Sequence, residues 1–574
     1  MTHSRSYILG LLIMILYPSL LHSQAEFTRA DSLRGGLSKY RTCYDVLYYH
    51  LDVRVDPEAK RVDGSNLIRY RVTEPFRRMQ LDLFPSMIIS DIRTERGEQV
   101  RYVREEGAVF LDMPSENLAG ETGVVIVRYG GIPISAERPP WSGGFTWTTD
   151  AEGNPWIAVS CQGTGASLWW PNKDHQADEP DSMLISVTVP SGLQNISNGR
   201  LRSVSEAEEG WSRFDWFVGN PINNYNVTVN IGAYDHFSDS LIRNGDTLSL
   251  DYYVLPYNRE KAARQFRQVR PTLETFEKYF GRYPFSDDGY KLVETPYLGM
   301  EHQSAIAYGN QYMNGYAGTA QSAVGPSSST GLLFDFIIVH ETAHEWWGNS
   351  VTAKDIADMW IHESFGAYAE AIFVEEQWGY EAAIDYINAK KSSVANDRPM
   401  IGVYNVHNSG SRDMYNKGQL ALNTLRHEIG NDELWWDLIR GLATTFRMKT
   451  VTAEEIITFI NERTETDYTP FFDQYFRASA IPELQVYITR QGPNTVMQYR
   501  WDADARDFSM NLSVTTGPDR FETIRPTTSW QTMNLDGVDP REFRIADDLF
   551  YVTMDLRWAY LAPEKTGEDF LRRP

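Results

Sequence analysis

Between Leu47 and about Gly232 the chain is built of short apolar or alternating runs. Tyr48-Tyr49-His50-Leu51-Asp52-Val53 and Val124-Val125-Ile126-Val127 are examples, and turn clusters such as Asp63-Gly64-Ser65 and Tyr129-Gly130-Gly131 separate them. Short runs of this kind, broken at glycine-rich turns, predict an antiparallel β-sandwich. The run Tyr225-Asn226-Val227-Thr228-Val229-Asn230-Ile231 is expected to be its closing strand. Beyond about residue 240 the pattern changes. One more strand-like run, Leu248 to Leu255, leads into helical periodicity from Arg259 to Phe280, and helical segments dominate to about Arg477. Ile481-Pro482-Glu483 marks a second boundary, after which alternation resumes with Leu484-Gln485-Val486-Tyr487-Ile488. The expected fold is multidomain α+β: a β-sandwich over 24–236, a mostly α-helical region over 237–482 and a small β-sandwich over 483–574. A chain of 574 residues is too long for one ordinary core, which agrees with several domains.

The first residues do not fit this scheme. Arg5 and His3 precede an apolar run from Tyr7 to Leu21, and small Ser23 follows, so residues 1–23 read as a signal peptide. The run is short for a membrane span and contains Pro18. No later apolar stretch reaches membrane length. The expectation is an exported protein, periplasmic or secreted, with no membrane span after signal removal, acting as a monomer or weak oligomer.

Hydrophobic residues make up 42% and charged residues 23%, as in ordinary globular proteins. The net charge of -23 repels phosphate backbones and argues against nucleic-acid partners. Two cysteines, Cys43 and Cys161, can form one disulfide or remain two buried thiols. They are too few for a cysteine-based metal site, so any metal must be held by histidine and carboxylate.

Such a set is present. His340-Glu341-Thr342-Ala343-His344 lies in a helix-like segment, Phe334–Gly348. Histidines at i and i+4 project from one helical face and can grip one ion, with zinc–nitrogen distances of about 2.0–2.1 Å. Glu341 stands beside them as a general base for the attacking water. A catalytic zinc takes three protein ligands. Glu363, with 18 residues between it and His344, is placed in a second helix-like segment that can present it as the third. Its neighbour His362 is the rival ligand but should point elsewhere on that helix. Glu370 reads as a supporting carboxylate.

His340-Glu341-x-x-His344, 18 residues, then Glu363 resembles the zinc signature of the aminopeptidase N family of metallopeptidases. Trp346-Trp347-Gly348-Asn349-Ser350-Val351 and Trp360 look like the same family's flanking residues. Gly299-Met300-Glu301-His302 resembles its Gly-x-Met-Glu-Asn exopeptidase motif, with His302 in place of Asn. Tyr415-Asn416-Lys417-Gly418 resembles its Tyr-x-Lys-Gly segment, and Cys161-Gln162 through Asp178-Glu179-Pro180 resembles part of its N-domain.

The resemblance covers roughly residues 45–482. It implies a thermolysin-like catalytic domain, one Zn2+ per chain, and hydrolysis of the N-terminal bond of peptides with a free N-terminus. In that scheme Glu301 anchors the α-amine, Gln162, Gly299 and Met300 border it, and Tyr415 stabilises the oxyanion. The tail looks like the family's small β-domain, as in short bacterial-type members in which the C-terminal helical domain of larger members is missing. Glu301 argues against endopeptidase activity. The full ligand set argues against a non-enzymatic scaffold. Epoxide hydrolysis, known in some relatives, would need a deep apolar channel.

Overall fold

The computed structural model describes residues 27–561 apart from Asn244, Ala320, Ala323, Val324, Ser327, Pro493, Pro518 and Asp519. The expected signal peptide lies outside the described residues.

The N-terminal region is built on a seven-stranded sheet in the order Arg200–Glu208, Trp211–Val218, Ser182–Pro190, Tyr44–Asp56, Arg61–Val72, Thr122–Gly131, Met87–Thr94. A four-stranded sheet (Gln194–Ile196, Asn230–Gly232, Pro155–Ser160, Gly144–Thr149) and a three-stranded sheet complete it. The alternation does what the pattern predicts: Tyr49, Leu51 and Val53 are fully buried in the first long strand. That strand is not antiparallel throughout, because Tyr44–Asp56 pairs with Ser182–Pro190 in parallel register, Leu51 opposite Ile185.

The expected strand Tyr225–Ile231 is a correction. Only Asn230–Gly232 is a strand, and Asn224–Asn226 is a 3-10 turn. The asparagines supply the reason. The Asn198 side chain accepts from Thr228 N–H, and Asn224 and Asn226 donate to Lys173 O and Asn349 Oδ1. Side chains thus satisfy part of what a sheet ladder otherwise would.

The middle region carries a five-stranded sheet that the helical reading missed beyond Leu248–Leu255. Its order is Asp235–Arg243, Asp246–Val254, Tyr290–Glu294, Ile306–Tyr308, Gly299–Met300. Tyr290–Glu294 is buried at every position, so its residues show no alternation to read. Three helices border the cleft: Phe336–Ala343 carries His340 and Glu341, Trp360–Trp378 carries Glu363, and Asn416–Ile429 follows Tyr415. The C-terminal four-stranded sheet runs Gln531–Asp536, Asn494–Asp502, Glu483–Gln491, Thr553–Leu561. Trp501 of this sheet, with Phe508 and Met510 from the segment that follows its strand, joins one apolar core with Phe471 and Tyr475 of the middle region. A second core unites the N-terminal sheets with Val293, Tyr297, Met300 and Ala307. Burial of such surface, at about 25 cal/mol per Å², ties the sheet edge that borders the cleft to the N-terminal domain. Cys43 and Cys161 are both buried and free.

Candidate active site

The helix Phe336–Ala343 begins where the Asp335 carboxylate caps Ile337 and Ile338 N–H. Its regular part stops at Ala343, but His344 keeps helical dihedrals. His340 and His344 therefore remain one turn apart on one face, with their Nε2 atoms 3.2 Å apart.

Each ring is fixed from behind. His340 Nδ1 donates to Glu370 Oε1 at 2.7 Å, and His344 Nδ1 donates to Trp347 O at 2.8 Å. With both protons committed there, both Nε2 atoms are bare acceptors facing each other. Glu363 Oε2, buried and without a hydrogen-bond donor, completes the triangle at 3.5 Å from His344 Nε2 and 3.9 Å from His340 Nε2. Ligands of one tetrahedral zinc stand about 3.3–3.4 Å apart for bond lengths near 2.0–2.1 Å. Three acceptors with no donor between them, at close to that spacing, are the donor set of a bound cation, and His-His-Glu chemistry suits zinc.

His362 is not one of the three. Its Nε2 accepts from Ala353 N–H at 2.8 Å. Glu370 is the support the sequence suggests. Burial would raise its carboxyl, but Lys390 and His340 hold it down to about 2. Lys390 Nζ and Tyr386 O–H each donate to Glu370 Oε2 at 2.6 Å. The pair stays an anion–cation network that fixes the His340 ring.

Every residue expected at the site lines one pocket of about 300 Å³: Gln162, Gly299, Met300, Glu301, His340, Glu341, His344, Glu363 and Tyr415. Glu301 follows the sheet-edge strand Gly299–Met300, and its backbone carbonyl accepts from Asn349 Nδ2. Gln162, from the N-terminal domain, donates through Nε2 to Glu301 Oε1 at 2.5 Å and to Glu363 Oε1 at 3.0 Å. Tyr225 O–H also donates to Glu301 Oε1, at 3.2 Å.

Burial raises the carboxyls of Glu301, Glu341 and Glu363, and each acid adds to the effect on Glu341. Burial and Glu363 keep the Tyr415 phenol protonated. His302 lies outside the pocket lining. Burial pushes its ring down to about 3, so it is neutral.

Three glycines set the close approaches. A Cβ on Gly299 would lie 2.9 Å from Glu341 Oε1, and one on Gly418 would lie 2.0 Å from Ser364 Oγ. One on Gly366 would lie 2.8 Å from His344 Cε1. Gly418 thus lets the helix after Tyr415 pack against the helix that carries Glu363. Gly366→Ala is expected to tilt the His344 ring and weaken zinc binding roughly tenfold, the size of an outer-contact defect at a metal ligand. Competition with a chelating dye measures this, and unchanged affinity would remove Gly366 from the argument.

Tyr225, Lys390 and Tyr386 were not visible in the sequence. Nothing local marks the two residues that hold Glu370, and the sequence pattern places Tyr225 in a strand.

Residues 264–475 match the peptidase family M1 domain. The chain is 22% identical over 353 residues to glutamyl aminopeptidase of Mus musculus, covering 58% of this chain and 35% of that protein. It is 22% identical over 352 residues to leucyl aminopeptidase of Saccharolobus solfataricus, covering 58% of this chain and 42% of that one. The matched segment thus spans less than half the length of these curated relatives. The fold is similar to the crystal structure of an M1 zinc metallopeptidase from Deinococcus radiodurans, with a TM-score of 0.63 and 21% identity over 76% of this chain and 94% of that one. A mutant of that protein bound to a Tyr-Ser-Ala substrate gives a TM-score of 0.62 at 21% identity, over 76% of this chain and 95% of that one.

Proposed function

We propose, from the premise that this chain carries a peptidase family M1 domain, that it is a zinc aminopeptidase that hydrolyses the N-terminal bond of peptides. The observation that carries the reading is the Gln162 amide. It touches both Glu301 and Glu363, so an amine anchor stands one side chain away from a metal ligand. A peptide's α-amine and first carbonyl are likewise neighbours, so one substrate residue can engage both.

His340, His344 and Glu363 would hold the zinc ion. When bound there, it polarises a carbonyl and acidifies a water. The charge count supports this. Glu301, Glu341 and Glu363 are the buried acids of a pocket whose two arginines are exposed, and one divalent ion plus one substrate ammonium matches the buried charge.

Glu301, held by Gln162 and Tyr225, takes the ammonium in a charge-assisted contact. Met300 and Gly299 border the first residue, and the glycine leaves room for Glu341. Glu341 accepts a proton from the attacking water and delivers it to the departing nitrogen. Tyr415, a protonated phenol, donates to the oxyanion. Removing the anchor in Glu301→Ala should collapse the enzyme's preference for a free over an acetylated N-terminus; retention of the full preference excludes Glu301 as anchor.

Export rests on the sequence alone. The native protein is expected to begin near Gln24, and N-terminal sequencing that finds Met1 contradicts it. Among the described residues no helix is long and apolar enough to cross a membrane.

A further inference from the structure

The pocket lining also carries positive charge. It includes two arginines, Arg138 and Arg412, both exposed, whereas the three glutamates are buried. Among the described residues neither guanidinium has a carboxylate or other side-chain partner. Acids are not scarce, since the chain holds 77 Asp and Glu against 54 Lys and Arg. The acid next to Arg412 is occupied elsewhere. Asp413 is buried and accepts from the backbone N–H of Ala395 at 2.9 Å and of Asn396 at 2.6 Å. Ser411 Oγ accepts from Asp413 N–H and donates to Asp397. The 3-10 turn Arg412–Met414 is therefore pinned through Ser411 and Asp413, which leaves Arg412 to the pocket. Arg412 shares the pocket lining with the phenols of Tyr415 and Tyr316. Arg138 arrives from the N-terminal domain, on the segment between Thr122–Gly131 and Gly144–Thr149.

We propose that Arg412 and Arg138 form a carboxylate subsite at the pocket mouth, so that favoured substrates carry a carboxylate a short distance beyond their free amine. The guanidinium fork matches a carboxylate in two parallel bonds. With buried Glu301 and two exposed arginines in its lining, the pocket carries both signs of charge, and a zwitterionic ligand complements it. Two sources offer that chemistry: an acidic side chain on the first residues, or the terminal carboxylate of a peptide only a few residues long. The proposal rests on the aminopeptidase reading above.

Two matched substrate pairs separate the sources. One is an aminoacyl amide with Glu or with Gln as its first residue. The other is a neutral tripeptide as the free acid or as its C-terminal amide. The ratio kcat/KM within each pair is measured for the wild type, Arg412→Gln, Arg412→Lys and Arg138→Gln. In at least one pair the wild type should favour the carboxylate member about tenfold, the scale of one charge-assisted contact at a partly wet site. Arg412→Gln should bring that ratio towards one, Arg412→Lys should keep part of it, and added salt should reduce it in the wild type. A preference confined to the first pair assigns the side chain, and one confined to the second assigns the terminus. Equal rates within both pairs for the wild type overturn the subsite, as does a preference that survives both Gln variants. If no member of either pair is hydrolysed by the zinc-loaded wild type, the aminopeptidase reading falls and this inference with it.

Discussion

Glu341→Gln should retain its zinc and lose about two to four powers of ten in kcat, the usual contribution of a positioned general base. The ligands His340, His344 and Glu363 are untouched by this change, and the amide fills the same space. The variant should also be no less stable than the wild type without metal. Glu341 is buried among Glu301, Glu363 and Glu370, all of which raise its carboxyl further. Replacing it with a neutral amide relieves like-charge repulsion rather than breaking a bond. Zinc content, thermal unfolding of the apo form and steady-state rates report the three parts separately. Zinc-loaded Glu341→Gln with near wild-type turnover would remove Glu341 from the chemistry.

His344→Ala should fail at an earlier stage. It deletes one of two Nε2 donors and the bond from Nδ1 to Trp347 O, and it leaves Glu363 Oε2 with one fewer facing group. Zinc stoichiometry should fall from one per chain towards zero, with activity lost alongside. A ligand that binds only the folded state stabilises it, by about 2.7 kcal/mol at a hundredfold excess over Kd. The melting temperature of the wild type should therefore rise with added zinc, and that of His344→Ala should not. A variant that still takes up one zinc ion with wild-type affinity contradicts the assignment of the ligand set.

The sequence revealed what depends on local geometry. Histidines four apart on a helix need no tertiary information to meet, and Glu363 needed only a helix, a loop and another helix. Glu301, Gln162 and Tyr415 were reached by resemblance alone. Gln162 meets Glu301 across 139 positions and Glu363 across 201, and no periodicity encodes such a meeting. The same limit hid Tyr225, Lys390 and the unpartnered arginines.

In the fold, alternation served wherever a strand has one wet face. It failed for Tyr290–Glu294, which is buried on both faces, and for Tyr225–Val229, where asparagine side chains replace strand pairing. The parallel pairing of Tyr44–Asp56 with Ser182–Pro190 joins strands more than a hundred residues apart in the chain. A pattern of apolar residues gives a strand its faces, but it does not specify which distant strand lies beside it.

The central claim is that recognition begins at a free amine held by Glu301. One peptide, offered with a free and with an N-acetylated terminus to the zinc-loaded wild type, tests it most directly. Acetylation removes the ammonium and adds bulk where the carboxylate waits, although every peptide bond is unchanged. Loss of a charge-assisted contact of about 1.5–3 kcal/mol corresponds to roughly one to two powers of ten in rate. The free peptide should be shortened one residue at a time from its N-terminus, with the acetylated form cut slower by at least that factor. Equal rates for the two forms, or release of internal fragments, would contradict the account.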